Sequence, residues 1–171
     1  MAYVENSREA RLDPREADVE LSEETEALLT FRIGSALLGI PAELVQEVTD
    51  RGEASPIPLA PKHVIGLMPL RGEAIPLLDL NRFLSVDAQP FDVELERPPR
   101  VLVVAAEGMV VGLCCERVMG IEHVPLLTLA PPRIHTHSAM APYVTAEADR
   151  DSSVLARLNL GALLKAARVG A

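Results

Sequence analysis

The chain has 171 residues, 49% of them hydrophobic and 24% charged, which suits a soluble globular protein of one domain or two small units sharing a core. At this size a core closes without a metal or disulfide staple. A net charge of −9 with no Lys/Arg cluster argues against nucleic acid as a partner, and 3% aromatics with no Trp leave no stacking platform for single strands. The N-terminal "MAYVENSREARLDPREADVE" has no apolar core of a secretory signal. The longest apolar stretch, Val101 to Cys115, is broken by Glu107-Gly108 and falls short of the roughly 20 residues a membrane span needs. A cytoplasmic protein without direct membrane insertion is expected.

In chain order, residues 1–26 come first. They hold nine acidic residues and three arginines, −6 of the total charge, and cannot bury enough apolar surface to offset their ordering entropy. A mobile acidic tail is expected there. "ALLTFRIGSALLGIP" reads as two strands around Gly34-Ser35. "AELVQEV" follows Pro41 and is compatible with a short helix. "ASPIPLAP" reads as extended. "HVIGLMPL" and "EAIPLLDL" flank Arg71-Gly72 as a hairpin, after which Asp79 can cap a short helix, "LNRFL". A charged loop, "DVELERPPR", leads to a second hairpin around Glu107-Gly108. The chain ends in "VTAEADRDSSVLARLNLGALLKAA", closing with a helix.

The two halves resemble each other. Shifted by 73, "SALLGIPAELVQEV" (35–48) lies on "GMVVGLCCERVMGI" (108–121), and shifted by 80, "AIPLLDLNRFL" (74–84) lies on "VLARLNLGALL" (154–164). Asp79 then meets Asn159, and both residue types are good helix N-caps. The pattern predicts a mainly β fold of two similar small barrels, each closed on itself. Reactive chemistry is scarce: there is no phosphate loop, nucleophile elbow or metal-spaced Cys pair. Adjacent Cys114 and Cys115 read as small buried side chains, His135 and His137 as loop residues, Asp79 as a cap, and Glu43, Glu47 and Glu116 as solvated helix faces. No catalytic residue, metal or cofactor is expected.

Four blocks, "LLTFRIGSALLGIPAELVQEV", "VIGLMPLRGEAIPLLDLNRFL", "VVAAEGMVVGLCCERVMGI" and "PYVTAEADRDSSVLARLNLGALL", together resemble the CheW-type chemotaxis coupling family over about residues 28–166. The resemblance implies two SH3-like five-stranded β-barrel subdomains with short helices around a shared core. They would form one domain over 27–171: a first barrel at about 27–90, a second at about 97–155 and a closing helix at about 160–168. It further implies a non-enzymatic scaffold at membrane-associated receptor arrays. Its partners would be the regulatory domain of a CheA-type histidine kinase and the cytoplasmic tip of a methyl-accepting chemoreceptor. Two alternatives stay open: a coupling protein of a non-flagellar pathway serving pili, gliding or surface sensing, and a stand-alone ligand-binding or regulatory module acting on a kinase.

The resemblance also implies site residues. The family's Asn-Leu-Arg-Gly turn stands here as Pro69-Leu70-Arg71-Gly72, so the hairpin presents Arg71, whose planar fork suits partner recognition, and Gly72 supplies a conformation other residues reach with strain. Gly66 matches the family glycine before this strand and serves either close approach at a partner groove or a bulge within the barrel. Val45-Gln46-Glu47 matches the family's Val-Gln-Glu at the partner-facing surface. Pro69 for Asn, and Ala146 for the glycine after the family's Tyr-Leu-Thr, depart from the pattern.

Overall fold

The computed structural model describes residues 24–86, 99–133 and 139–169. Residues 1–23 of the acidic segment, nearly all of the charged loop before Arg100, and the His135–His137 pair lie outside the described residues. Thr25 and Glu26, which the sequence groups with the tail, belong to the first strand.

The strands are β1 (Thr25–Ile33), β2 (Ala36–Pro41), β3 (Val45–Asp50), β4 (Val64–Leu70), β5 (Glu73–Asp79), β6 (Arg100–Ala106), β7 (Met109–Cys115), β8 (Arg117–Pro125), β9 (Val144–Arg150) and β10 (Ser153–Leu158). Helix α1 (Leu80–Leu84) follows β5 and α2 (Leu160–Val169) follows β10. The three hairpins expected at Gly34-Ser35, Arg71-Gly72 and Glu107-Gly108 are present. Both caps form: Asp79 Oδ1 accepts from Arg82 N at 3.1 Å, and Asn159 Oδ1 accepts from Ala162 N at 3.0 Å. The helix expected over "AELVQEV" does not form. Only Ala42–Leu44 makes a 3-10 turn, because Val45, Val48 and Thr49 are β-branched and their backbone pairs with β6.

The strands form two five-stranded sheets, ordered β8-β1-β2-β10-β9 and β3-β6-β7-β5-β4. Each sheet takes strands from both halves of the chain, so the consecutive ranges 27–90 and 97–155 do not describe the structural units. What each unit keeps of its own half is completed by exchange. The parallel pairs β2–β10 and β5–β7 join the halves at two matching seams, with Gly39 opposite Arg157 and Gly112 opposite Leu77. Offsets of 73 and 80 relate these pairs residue for residue.

The same offsets relate the bulges. Thr30 and Phe31 face Gly120 and Val118, which leaves Met119 out; Val103 and Val104 face Glu47 and Val45, which leaves Gln46 out. Each sheet also rolls until one short bridge joins its far edge to the segment past its other edge: Ser55 with Leu67, and Ala130 with Glu147. Leu28, Leu37, Val124, Ala148 and Leu155, one from each strand of the first sheet, form a small cluster of their own. A larger cluster holds Phe31, Ile33, Leu38 and Ile40 against Leu77, Leu102 and Leu113, with Leu160, Leu163 and Leu164 of α2. This is the core shared by both rolls, and the fold agrees with two SH3-like units.

Cys114 and Cys115 are free and buried, and burial pushes both thiols up to about 12. Unfolded thiols ionise near pH 9, so in that range the folded state keeps protons that the unfolded state gives up. The stability from the neutral buried thiols is full below pH 9 and falls as pH rises toward 12, by up to about 1.4 kcal/mol per unit per thiol. Urea unfolding between pH 8 and 11 is expected to show a steeper loss in the native chain than in Cys114→Ala.

The seam glycines make a sharper test. A Cβ at Gly112 would lie 2.5 Å from Leu77 Cδ2 and 2.8 Å from Val101 Cγ1, whereas one at Gly39 would lie 3.2 Å from Leu155 Cδ1. Gly112→Ala is expected to lower unfolding free energy by about 1–3 kcal/mol, and Gly39→Ala by clearly less, in denaturant melts. Equal losses would show that seam packing is not what distinguishes the two sites.

Candidate functional site

Arg71 and Gly72 form the two-residue loop between β4 and β5, closed by the Leu70–Glu73 pair. Both have positive φ, 49° and 85°, which makes a type I′ turn. Glycine and asparagine suit its first position; an arginine there sits in the left-handed region at a cost of about 1 kcal/mol or more. A Cβ at Gly72 would meet nothing within 4 Å, so glycine serves conformation there, not space.

The Arg71 side chain is 80% exposed, and its Nη2 donates to Oε2 of Glu47 on β3. Strands β3 and β4 are opposite edges of the second sheet, so this ion pair spans the mouth of the roll. Gln46 stands at the bulge next to Glu47, exposed. Bulges re-aim side chains, and this one turns the amide outward. Three of the predicted residues, Gln46, Glu47 and Arg71, are therefore surface groups, with Arg71 and Glu47 in contact.

Val45 and Leu70 are partly buried and pack on the shared core, so they support the rim from beneath. Gly66 is buried, and a Cβ there would come 2.4 Å from the Ser55 carbonyl oxygen. That carbonyl accepts from Leu67 N in the bridge that closes the sheet. Gly66 stands at the register shift between β4 and β5, with the Ser55 backbone packed against it. Pro69 faces outward on edge strand β4, where a missing N–H is tolerated.

Asp79, 1% exposed, is tied to α1 through Arg82, whose Nε lies 3.4 Å from Oδ2. Among the described residues no group of three or more His, Cys, Asp or Glu could hold a metal ion, and no helix is long and apolar enough to cross a membrane. Sequence reasoning missed Glu147, a buried carboxylate on β9 beside a cleft. The signal was available: the offset of 80 sets it on Leu67, a charge where the repeat is apolar.

A family model described as "CheW-like domain" matches residues 27–168. This chain belongs to the CheW-like domain family. Protein FrzA of Myxococcus xanthus is 31% identical over 139 residues, covering 81% of this chain and 84% of that protein. Protein PilI of Pseudomonas aeruginosa is 29% identical over 114 residues, covering 67% of this chain and 62% of that protein. The crystal structure of the scaffolding protein TtCheW of Thermoanaerobacter tengcongensis superposes with a TM-score of 0.72 at 22% identity, over 81% of this chain and 87% of that one. That likeness concerns the fold.

An exposed ion pair contributes little, so the Arg71–Glu47 pair is expected to couple by less than about 1 kcal/mol in a double-mutant cycle. Arg71→Asn relieves the turn and is expected to raise unfolding free energy by about 0.5–1 kcal/mol in urea melts. A loss of stability in Arg71→Asn would show that the arginine braces its own sheet.

Proposed function

We propose that this CheW-like protein is a non-catalytic scaffold that couples the cytoplasmic tip of a chemoreceptor to the regulatory domain of a CheA-type histidine kinase, in the cytoplasm at the receptor array. The observation that carries the reading is the family match over nearly all the described chain, with a relative at 26% identity bearing the name Chemotaxis protein CheW, in Treponema pallidum. The surface supports it. A strained arginine on a rigid turn, beside an outward amide and a carboxylate, is a recognition rim of polar groups over an apolar base. Gln46, Glu47, Arg71 and Gly72 form the proposed contact rim, with Val45 and Leu70 beneath it.

The reading is tested with charge reversal and charge exchange. Arg71→Glu is expected to keep the melting temperature within a few degrees. It should weaken binding to the receptor tip or to the kinase regulatory domain by about tenfold or more. Exchanging the pair, Arg71→Glu with Glu47→Arg, restores an ion pair but not the arginine's place. It is expected not to recover binding. Recovery by the exchange, or unchanged affinity of Arg71→Glu for both partners, would remove the rim from the site.

A further inference from the structure

A cleft of about 330 Å³ opens where α2 packs on the second sheet. Pro76 and Leu78 of β5, Val111 of β7, and Leu164 and Ala167 of α2 line it, together with the loop 57–61. Among the described residues the lining is apolar apart from one charged side chain, Arg168. A recess of this volume is in the range of small-ligand sites. It takes one short chain rather than a helix, which is about 10 Å across with its side chains.

Two features of this cleft have no explanation in the fold. Leu59 borders it fully exposed, with a φ of 61°. Its side chain stays in water, and the left-handed backbone favours glycine or asparagine over leucine. Pro56, Pro58 and Pro61 fix φ around it, so the loop holds the leucine in this state. The leucine gains only when something apolar lies against it. The second feature is charge. Arg168 is exposed in the last turn of α2, where a cation suits the helix dipole, but the Ala167 carbonyl there already accepts from His63 Nε2 at 3.2 Å. An adjoining recess shares Met109 and Arg168 and adds Glu107 and Lys165, which pair with each other at 2.9 Å. Arg168 has no ion-pair partner among the described residues, so the mouth of the cleft is positive on a chain that carries −9.

We propose that this cleft binds a free aliphatic carboxylate, a medium-chain fatty acid, with its tail between α2 and the second sheet and its head at Arg168. The guanidinium fork matches a carboxylate in two places. Val111, Leu164 and Ala167 meet the tail, and Leu59 covers it. The residues that line the cleft come from both halves of the chain, since α2 follows β10 of the first sheet and packs on the second. None of the rim residues around Arg71 lines it, so the coupling function stands whether or not the site binds.

The test is a ¹⁵N-NMR titration of the full chain with butanoate, hexanoate and octanoate below their micelle concentrations, and with neutral octanol as control. Saturable shifts of the Val111, Leu164 and Ala167 amides are expected with octanoate. Affinity should rise by about fourfold for each methylene added along the series. Octanol should bind more weakly than octanoate, and Arg168→Gln should abolish that difference by weakening octanoate alone. Leu59→Gly, which relieves the backbone, should melt no lower than the native chain and yet bind octanoate several-fold more weakly. The absence of saturable shifts with octanoate, octanol binding as tightly as octanoate to the native chain, affinity that does not grow with chain length, or octanoate affinity unchanged by either substitution overturns the proposal.

Discussion

Two parallel strand pairs hold this molecule together. Strand β2 needs β10 beside it, and β5 needs β7; in each case the partner comes from the other half of the chain. Parallel pairs cannot be made by a hairpin, so both seams require distant segments to meet before either sheet is complete. Close approach there is served by glycine, most tightly at Gly112, whose missing side chain leaves room for Leu77 and Val101. The exchange merges two small rolls into one body around a shared core. Without it, each half would present unpaired strand edges to water.

A body tied in this way gives its turns a fixed frame. The β4–β5 turn projects from the second sheet, and its arginine touches the opposite edge through Glu47. The energetics of that pair point outward rather than inward. An exposed ion pair adds little, while an arginine at positive φ costs more than glycine or asparagine would. Offsets of 73 and 80 put Gly120 and Asp151 where the second sheet has Glu47 and Arg71. The first sheet therefore lacks the pair at its corresponding end and exposes Met119 and Ile121 on β8 instead. One duplicated framework thus carries two chemically different ends.

Much of this was legible in the sequence, for local reasons. Gly34-Ser35, Arg71-Gly72 and Glu107-Gly108 announce hairpins through their turn chemistry, and Asp79 and Asn159 announce helices through their caps. The repeat offsets survive as strand registers and bulges. The exchange was not legible, because alternation fixes which face of a strand is buried but not which strand lies beside it. Val45-Gln46-Glu47 read as helix since a short run after Pro41 fits either state; pairing with β6 decides for strand. The packing of the Ser55 backbone against Gly66 was not legible either, because it joins residues on non-neighbouring segments.

The account stands on the claim that this chain joins a receptor to a kinase. The most direct measurement is sedimentation of receptor-bearing membranes mixed with the purified kinase, with and without this protein. The account predicts that both soluble proteins pellet together, and that the kinase stays in the supernatant when this protein is omitted. Pelleting of the kinase to the same extent without it, or failure of this protein to pellet with receptor membranes, would contradict the claim.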